Sequence, residues 1–349
     1  MRHVALGGGA PVSRVIRGNW QLAGGHGRIE RERAIDDMIA FADAGITTFD
    51  CADIYTGVEE LIGAFRERYR NERGAEALSR VRVHTKFVPD LGALGSLART
   101  EVAAAIDRSR AKLGVEAIDL VQFHWWDYGE PRWREVAGWL AGLVADGRIR
   151  NLGGTNFDAE RTAAMIDDGA PLVAMQVQYS LLDDRPGRAM ADLAARSGMA
   201  LLCYGSVAGG FLSDRWLGRT EPDGPLENRS LTKYKLIIDD CGGWDAYQHL
   251  LGALRGIADR HGTDIATVSS AWTLTRPHVA AAIVGARNAD HLASNLAVAS
   301  LELSPDDLDA IEAARAGLAP LEGDVYALER DRTGPHGSVM KYNLNKDAA

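Results

Sequence analysis

His124 ends the run Ile118-Asp-Leu-Val-Gln-Phe-His124, which reads as a short strand finishing in an imidazole. Two earlier strand-like runs finish in chemistry as well. Thr47-Thr-Phe-Asp50-Cys-Ala-Asp-Ile-Tyr55 carries a carboxylate and a phenol, and Val81-Arg-Val-His-Thr-Lys86 carries an amine. A carboxylate, a phenol, an amine and an imidazole, each at a strand end or in the loop after it, are the parts needed to protonate a carbonyl oxygen near neutral pH. Each has an ordinary structural role when taken alone. Asp50 and Lys86 could form a buried ion pair, Tyr55 could simply pack, and His124 could be a satisfied core histidine. All four in this order favour catalysis.

The elements that would position them alternate between β-rich and helix-like runs. Eight strands are expected at Arg14–Gln21, Thr47–Asp53, Arg82–Val88, Asp119–Trp125, Arg150–Asn156, Leu172–Ser180, Ala200–Ser206 and Ala280–Val284. Helices fall between them: Glu30–Ala44 closed by Gly45, Leu97–Leu113 closed by Gly114, and one opened by Ser304-Pro-Asp-Asp with an N-cap serine and proline at the first turn. Strands separated by crossover helices pair in parallel, and eight such units predict a closed (β/α)8 TIM barrel of the α/β class. Strand parity puts Asp50, Lys86, His124 and Gln176 on the inner face near the C-terminal strand ends, where barrel enzymes place their chemistry. The expected layout is one barrel over residues 1–316 and an extension over 317–349 that could fold across the barrel mouth. A long insertion, Val207–Trp244, follows the seventh strand. Gly7-Gly8-Gly9 before Pro11 reads as a hairpin turn.

Composition narrows the classes. The chain has 349 residues, 46% of them hydrophobic, and a formal net charge of -9, which argues against broad nucleic-acid or anionic-membrane binding. Three scattered cysteines, Cys51, Cys203 and Cys241, do not make a disulfide framework; the first two lie in apolar runs and read as buried thiols. There is no signal-like N-terminus and no apolar run of membrane-spanning length, so a cytoplasmic location is expected. Asn228-Arg-Ser230 fits a glycosylation sequon but reads as chance without such a signal. No G-x-G-x-x-G opens a helix after a strand, and no H-E-x-x-H or strand-borne H-x-H is present. A Rossmann domain and a metal-dependent barrel hydrolase are both disfavoured, and no metal is expected.

The ordered set Phe49-Asp50-Cys-Ala-Asp-Ile-Tyr55-Thr-Gly-Val-Glu59, Lys86, His124, Gly154-Thr155-Asn156-Phe157, Gln176 and Ile283-Val-Gly285-Ala-Arg287 resembles the aldo-keto reductase superfamily from about Val12 to Ala314. The resemblance implies Tyr55 as general acid, Lys86 lowering the phenol pKa, Asp50 holding Lys86, and His124 donating to or orienting the substrate carbonyl. It implies a nicotinamide dinucleotide, with Thr155, Asn156 and Gln176 on the carboxamide and Tyr204 stacked on the ring. Gly18, Asn19, Trp20 and Asp50 would lie close by. Gly205, Ser206, Ala208 and Gly210 would wrap the pyrophosphate, although the family's commoner Ser-Pro pair here reads Gly205-Ser206. Gly285, Arg287, His291 and Asn295 would meet the adenosine end. The N-terminal amides of the helix Ala289–Ala299, together with Arg287, suit a 2′-phosphate, favouring NADP(H) over NAD(H).

On the substrate side, Trp20, Tyr55, Phe87, His124 and Trp125 are expected at the mouth, suited to an apolar carbonyl compound or the flat face of a sugar. If the fourth strand continues, only one of Trp125 and Trp126 can point inward. The segment Arg215–Lys235, with five basic and three acidic side chains, could steer an acidic substrate or simply be solvated. Tyr326, Arg330, His336 and Tyr342 could add contacts from the extension. The expected activity is NADP(H)-dependent reduction of an aldehyde or ketone. The alternatives are NAD-linked oxidation of a sugar or alcohol, and a cofactor-sensing regulatory subunit on the same barrel. Oligomeric state stays open.

Overall fold

Short, strongly apolar strands of three to seven residues close into one ring of parallel hydrogen bonds: β1 (Val15–Gly18), β2 (Thr48–Asp50), β3 (Arg82–Phe87), β4 (Leu120–Phe123), β5 (Leu152–Thr155), β6 (Leu172–Gln178), β7 (Ala200–Tyr204) and β8 (Val279–Gly285). Each pairs with the next, and β8 pairs with both β7 and β1, so the barrel has no free edge. This is the predicted (β/α)8 barrel, with every strand at its expected place. The observed strands are mostly one to three residues shorter because the predicted runs included loop residues that carry the chemistry. The computed structural model describes residues 1–7, 9, 11–23 and 29–345. Gly8 of the predicted turn and the last four residues of the extension lie outside this set.

Before β1, a two-stranded antiparallel ribbon (His3–Val4 with Val12–Ser13) closes the N-terminal end of the barrel. Its Leu6 and Val12 pack on Ile16, Leu120, Ala174 and Leu202, a small apolar cluster inside the barrel floor. A much larger cluster lies between the strands' outer faces and the surrounding helices. That separation follows from parity: alternate residues of each strand face the barrel interior or the helical coat.

The coat comprises α1 (Arg31–Asp43), α2 (Val58–Leu78), α3 (Arg99–Leu113), α4 (Trp133–Ala145), α5 (Ala159–Asp167), α6 (Ala189–Ser197), α7 (Arg229–Asp240), α8 (Gly243–His261), α9 (Ile265–Leu274), α10 (Leu292–Val298) and α11 (Pro305–Arg315). The local signals act as expected. Gly114 takes φ 63° at the end of α3, and Ser304 caps α11, its Oγ accepting from the Asp307 amide while Asp307 accepts from the Ser304 amide. The insertion after β7 is not structureless, since it builds α7. Asn228 is the N-cap of that helix, its Oδ1 accepting from the Leu231 amide at 3.0 Å, which accounts for an asparagine there without glycosylation. All three cysteines are buried and free. Two one-turn helices, α12 (Ala327–Arg330) and α13 (Pro335–Ser338), lie in the extension. Among the described residues, no helix is long and apolar enough to cross a membrane.

Candidate active site

At the C-terminal strand ends, Asp50 from β2 and Lys86 from β3 meet. Lys86 Nζ lies 2.5 Å from Asp50 Oδ2 and also donates to the Cys51 carbonyl at 2.8 Å. The other carboxylate oxygen, Oδ1, accepts from Gln122 Nε2 and Gln176 Nε2, each at 2.8 Å. Gln176 Nε2 donates as well to Gln122 Oε1 at 2.8 Å. The carboxylate is thereby saturated across four strands, as a buried charge must be if it is to remain charged. Gln122 was missed as a site residue, although it shares the inward parity of Lys86 and His124.

Tyr55 sits in the turn between β2 and α2, edge-on to Trp20 with ring centroids 4.9 Å apart. The Lys86 ammonium lies 5.2 Å from the centre of its ring. Burial pushes the phenol above its ordinary pKa, and attraction to Lys86 pulls the other way without overcoming it. The expected lowering by Lys86 is therefore present as a contribution, while the net direction is upward because burial is the larger effect. Lys86 itself is held above the ordinary lysine range: burial alone would depress it, but the Asp50 carboxylate outweighs that.

His124 is 3% exposed, and its Nδ1 lies 3.1 Å from the Thr155 carbonyl. A carbonyl can only accept, so Nδ1 carries the proton. Burial, reinforced by nearby Arg330, pushes the imidazole pKa down to about 3, so the ring is neutral and Nε2 is a bare acceptor. Among the described residues, Nε2 has no protein partner. This corrects one half of the sequence expectation: in this tautomer His124 cannot donate to a carbonyl oxygen, though it can orient a group that offers it a hydrogen.

Asp50, Tyr55, Lys86 and His124 line one cavity of about 1170 Å³, together with Gly18, Asn19, Trp20, Thr155, Asn156, Gln176, Tyr204, Gly205, Ser206, Gly210, Gly285, Arg287, His291 and Asn295. Three expected contacts do not line it. Phe87 follows the inward Lys86, so parity turns it outward onto Phe123, ring centroids 6.2 Å apart. Trp125 follows the inward His124 and packs outward with no exposure, its indole N–H bonded to the Asp127 and Glu130 carbonyls. Trp126 lines the cavity in its place, 4.3 Å from the His124 ring. Ala208, in the loop after β7, is buried and is not among the residues that line the cavity.

That loop is shaped for close approach. Gly205 has φ 75°, and a Cβ there would fall 2.2 Å from the Tyr234 hydroxyl oxygen. Ser269 Oγ donates to the Ser206 carbonyl at 2.6 Å and Ser270 Oγ meets Ser206 Oγ at 2.9 Å, so α9 fixes the segment that departs from Ser-Pro. The adenosine-side expectation needs a second correction. Ala289 N–H already donates to Asp37 Oδ1 and Asp290 N–H to Asn288 Oδ1, and the segment begins as a 3-10 turn. Its first amides are spent, which leaves Arg287 to face an anion. Asn295, 8% exposed and in the cavity wall, has an Nδ2 without a partner among the described residues.

Of the basic loop residues, Lys235 pairs with Glu221 and Asp239, whereas Arg215, Arg229 and Lys233 line the cavity, Arg215 paired with Glu227 and Lys233 with Glu329. The extension contributes wall residues too. Tyr326, Met340 and Lys341 line the cavity, and the Tyr326 ring lies 5.9 Å from that of His124. Tyr342 packs against Trp126, and His336 bonds Asp240 instead.

A closed parallel barrel with a carboxylate-held ammonium, a phenol and a neutral imidazole at its mouth, lining a cavity of about 1170 Å³, is what a barrel oxidoreductase presents. The profile of the Aldo/keto reductase family matches residues 14–316, and the chain belongs to that family; it is a nicotinamide-dependent oxidoreductase. It is 27% identical over 313 residues to the L-glyceraldehyde 3-phosphate reductase of Escherichia coli O157:H7, covering 84% of this chain and 86% of that one. It is 26% identical to the versiconal hemiacetal acetate reductase of Aspergillus parasiticus, covering 89% and 96%. Flagellar radial spoke protein 5 of Chlamydomonas reinhardtii is 31% identical over 303 residues, 69% of this chain but only 56% of the spoke protein's length. A solved glycerol dehydrogenase from Gluconobacter oxydans shares the fold, with a TM-score of 0.76 at 24% identity over 92% of this chain and 97% of that one.

Proposed function

We propose that this protein reduces an aldehyde or ketone with NADPH, with Tyr55 as the proton donor and a hydroxyl on the substrate beside the carbonyl. The observation that carries the reading is the convergence of Asp50, Lys86 and Tyr55 on a cavity whose lining also offers a matched donor and acceptor. Gln176 spends both Nε2 hydrogens on Asp50 and Gln122, which leaves Oε1 to accept. Asn156 Oδ1 accepts from the Tyr204 hydroxyl at 2.9 Å, which leaves Nδ2 to donate. One acceptor and one donor side by side are complementary to a carboxamide, so these residues fit the nicotinamide headgroup. The glycines at 205, 209 and 210, all at positive φ, fit a backbone drawn close to phosphate oxygens.

When bound, the dinucleotide supplies hydride. Tyr55 gives its proton to the carbonyl oxygen as negative charge develops there. Lys86 stabilises the phenolate that remains, and the four-strand amide network around Asp50 keeps the ammonium from turning away. General acid help of this kind is worth about 10²–10⁴-fold. His124 Nε2, a bare acceptor, suits a substrate hydroxyl next to the reacting carbon. The action on glyceraldehyde 3-phosphate in the bacterial relative's name supports the same substrate class. Arg287 supports NADP(H) over NAD(H), and a cytoplasmic setting suits a chain with a net charge of -9 and only buried, unpaired thiols.

The test is steady-state kinetics on the purified protein with NADPH and NADH, in both directions, across hydroxylated and unhydroxylated carbonyl compounds. NADPH should give the higher kcat/KM, and the hydroxylated member of each substrate pair should lead. Tyr55→Phe should still bind NADPH and lose about 10²–10⁴-fold in kcat. Turnover near that of the parent in Tyr55→Phe would remove the phenol from the mechanism. Tight NADPH binding with no turnover on any carbonyl would favour the cofactor-sensing alternative.

A further inference from the structure

Arg330 belongs to the one-turn helix α12, beyond the stretch matched by the family profile. Its guanidinium nevertheless reaches back to two barrel-mouth loops. Nη1 donates to the Trp125 carbonyl at 2.6 Å and the Trp126 carbonyl at 3.1 Å, and Nη2 donates to the Asn156 carbonyl at 2.6 Å. The guanidinium carbon lies 3.7 Å from the centre of the Tyr128 ring. Trp125 and Trp126 directly follow His124 at the end of β4, and Asn156 directly follows Thr155 at the end of β5.

Asn156 has φ 61°, a conformation most side chains avoid, and it persists only where the surroundings over-determine it. Here its N–H donates to the Gln176 carbonyl at 2.9 Å, its side chain accepts from Tyr204, and its carbonyl is held by Arg330. We propose that Arg330 is a positioning residue. By tying the loop after His124 to the loop after Thr155, it sets the spacing between the imidazole that meets the substrate and the amide that meets the nicotinamide. This rests on the roles proposed above for His124 and Asn156. A planar fork with donors in fixed directions can hold three carbonyls of two loops at once; a lysine ammonium on a flexible stem cannot reproduce that geometry. A misplacement of about 1 Å between reacting groups can cost on the order of 10²-fold in rate, so a residue that touches neither substrate nor cofactor can still govern turnover.

The experiment uses full-length Arg330→Met and Arg330→Lys, with Arg332→Ala as a control in the same tail, where Arg332 makes only a surface ion pair with Asp127 at 3.1 Å. NADPH affinity is read by quenching of tryptophan fluorescence, independently of turnover, and kcat and KM are read separately. Arg330→Met should weaken NADPH binding about tenfold and lower kcat by about 10–10²-fold. Arg330→Lys should recover only part of each, and Arg332→Ala should match the parent. Folded Arg330→Met with parental Kd and kcat overturns the inference, even with a lowered Tm, because a merely structural residue would behave that way. If Arg330→Met does not fold, Arg330→Lys decides: parental Kd and kcat in that variant overturn the proposal. A parent protein that neither binds nor oxidises NADPH refutes the functional reading itself. A parent that does both, with Arg330 variants indistinguishable from it, refutes this inference alone.

Discussion

Two imidazoles inside the barrel are kept neutral by burial, His124 at its mouth and His84 nearer its floor. His84 sits beneath the Asp50–Lys86 pair, 1% exposed, with its pKa pushed down to about 4, and His124 is pushed down to about 3. In the unfolded chain both would titrate near 6.5. Below that pH the unfolded state binds protons that the folded state refuses, so stability falls as pH drops from about 6.5 toward 4 and is fully present above it. Linkage sets the slope at about 1.4 kcal/mol per pH unit per histidine. Denaturant midpoints between pH 7 and pH 4.5 should fall accordingly, and His84→Gln should lower the slope by one histidine's share. An unchanged slope in that variant would show that His84 is not the neutral buried group described here. The same desolvation that makes His84 an acid-stability liability keeps the His124 ring neutral near neutral pH, and the Thr155 carbonyl on Nδ1 then leaves Nε2 as the acceptor.

The helical coat depends on close approaches that only some positions permit. Gly63 in α2 faces the end of α3, where an added Cβ would fall 2.1 Å from the Lys112 carbonyl oxygen. That obstacle is backbone and cannot swing aside. Gly63→Ala should therefore cost about 1–3 kcal/mol by forcing the two helices apart. Gly138 in α4 is exposed with open space around it, and Gly138→Ala should instead gain about 0.5–1 kcal/mol from helix propensity. Urea denaturation with an unchanged m-value separates the two, and equal effects of the same sign would contradict the packing described for α2 against α3. These elements also show what the amino-acid order discloses. β-rich runs between helix-like ones located all eight strands, and strand parity turned Asp50, Lys86, His124 and Gln176 inward. Applied one residue further, the same parity turns Phe87 and Trp125 outward, and their placement at the mouth failed because aromatic character was allowed to outweigh it. Gln122 had the right parity, but its bond to Asp50 depends on two strands that are not adjacent in the barrel. The Ala289 amide is spent on Asp37, about 250 residues away along the chain, which no local pattern reveals, whereas the Asp290 amide is spent locally on Asn288.

At the scale of the molecule, the barrel and its C-terminal extension differ in how they are held. The barrel is a closed ring of backbone hydrogen bonds that owes nothing to residues after 316. The extension is held by side chains reaching far along the chain: Arg330 to the Trp125 carbonyl 205 positions away, and Glu329, 1% exposed, to Arg185 at 3.5 Å and Lys233 at 3.4 Å. Lys233 comes from α7 in the insertion after β7, so the tail's carboxylate bridges that insertion to the segment after β6. Such contacts have no sequence period, which is why the extension could not be read beyond a possible cover. Ending the chain at Ala316 should leave far-UV circular dichroism almost unchanged, since strands and coat helices persist. It should lower Tm, because Lys233 and Arg185 lose a buried counter-charge and apolar residues such as Leu321, Val325 and Tyr326 no longer pack. NADPH affinity should weaken by at least the tenfold expected for Arg330→Met, because the tie between the β4 and β5 loops is lost together with the Tyr326 wall. Tryptophan emission should shift to the red as Trp126, packed against Tyr342, meets water. A truncated chain with parental NADPH affinity and turnover would make the extension a passive cover, whereas loss of affinity with an intact far-UV spectrum would make it part of the binding site.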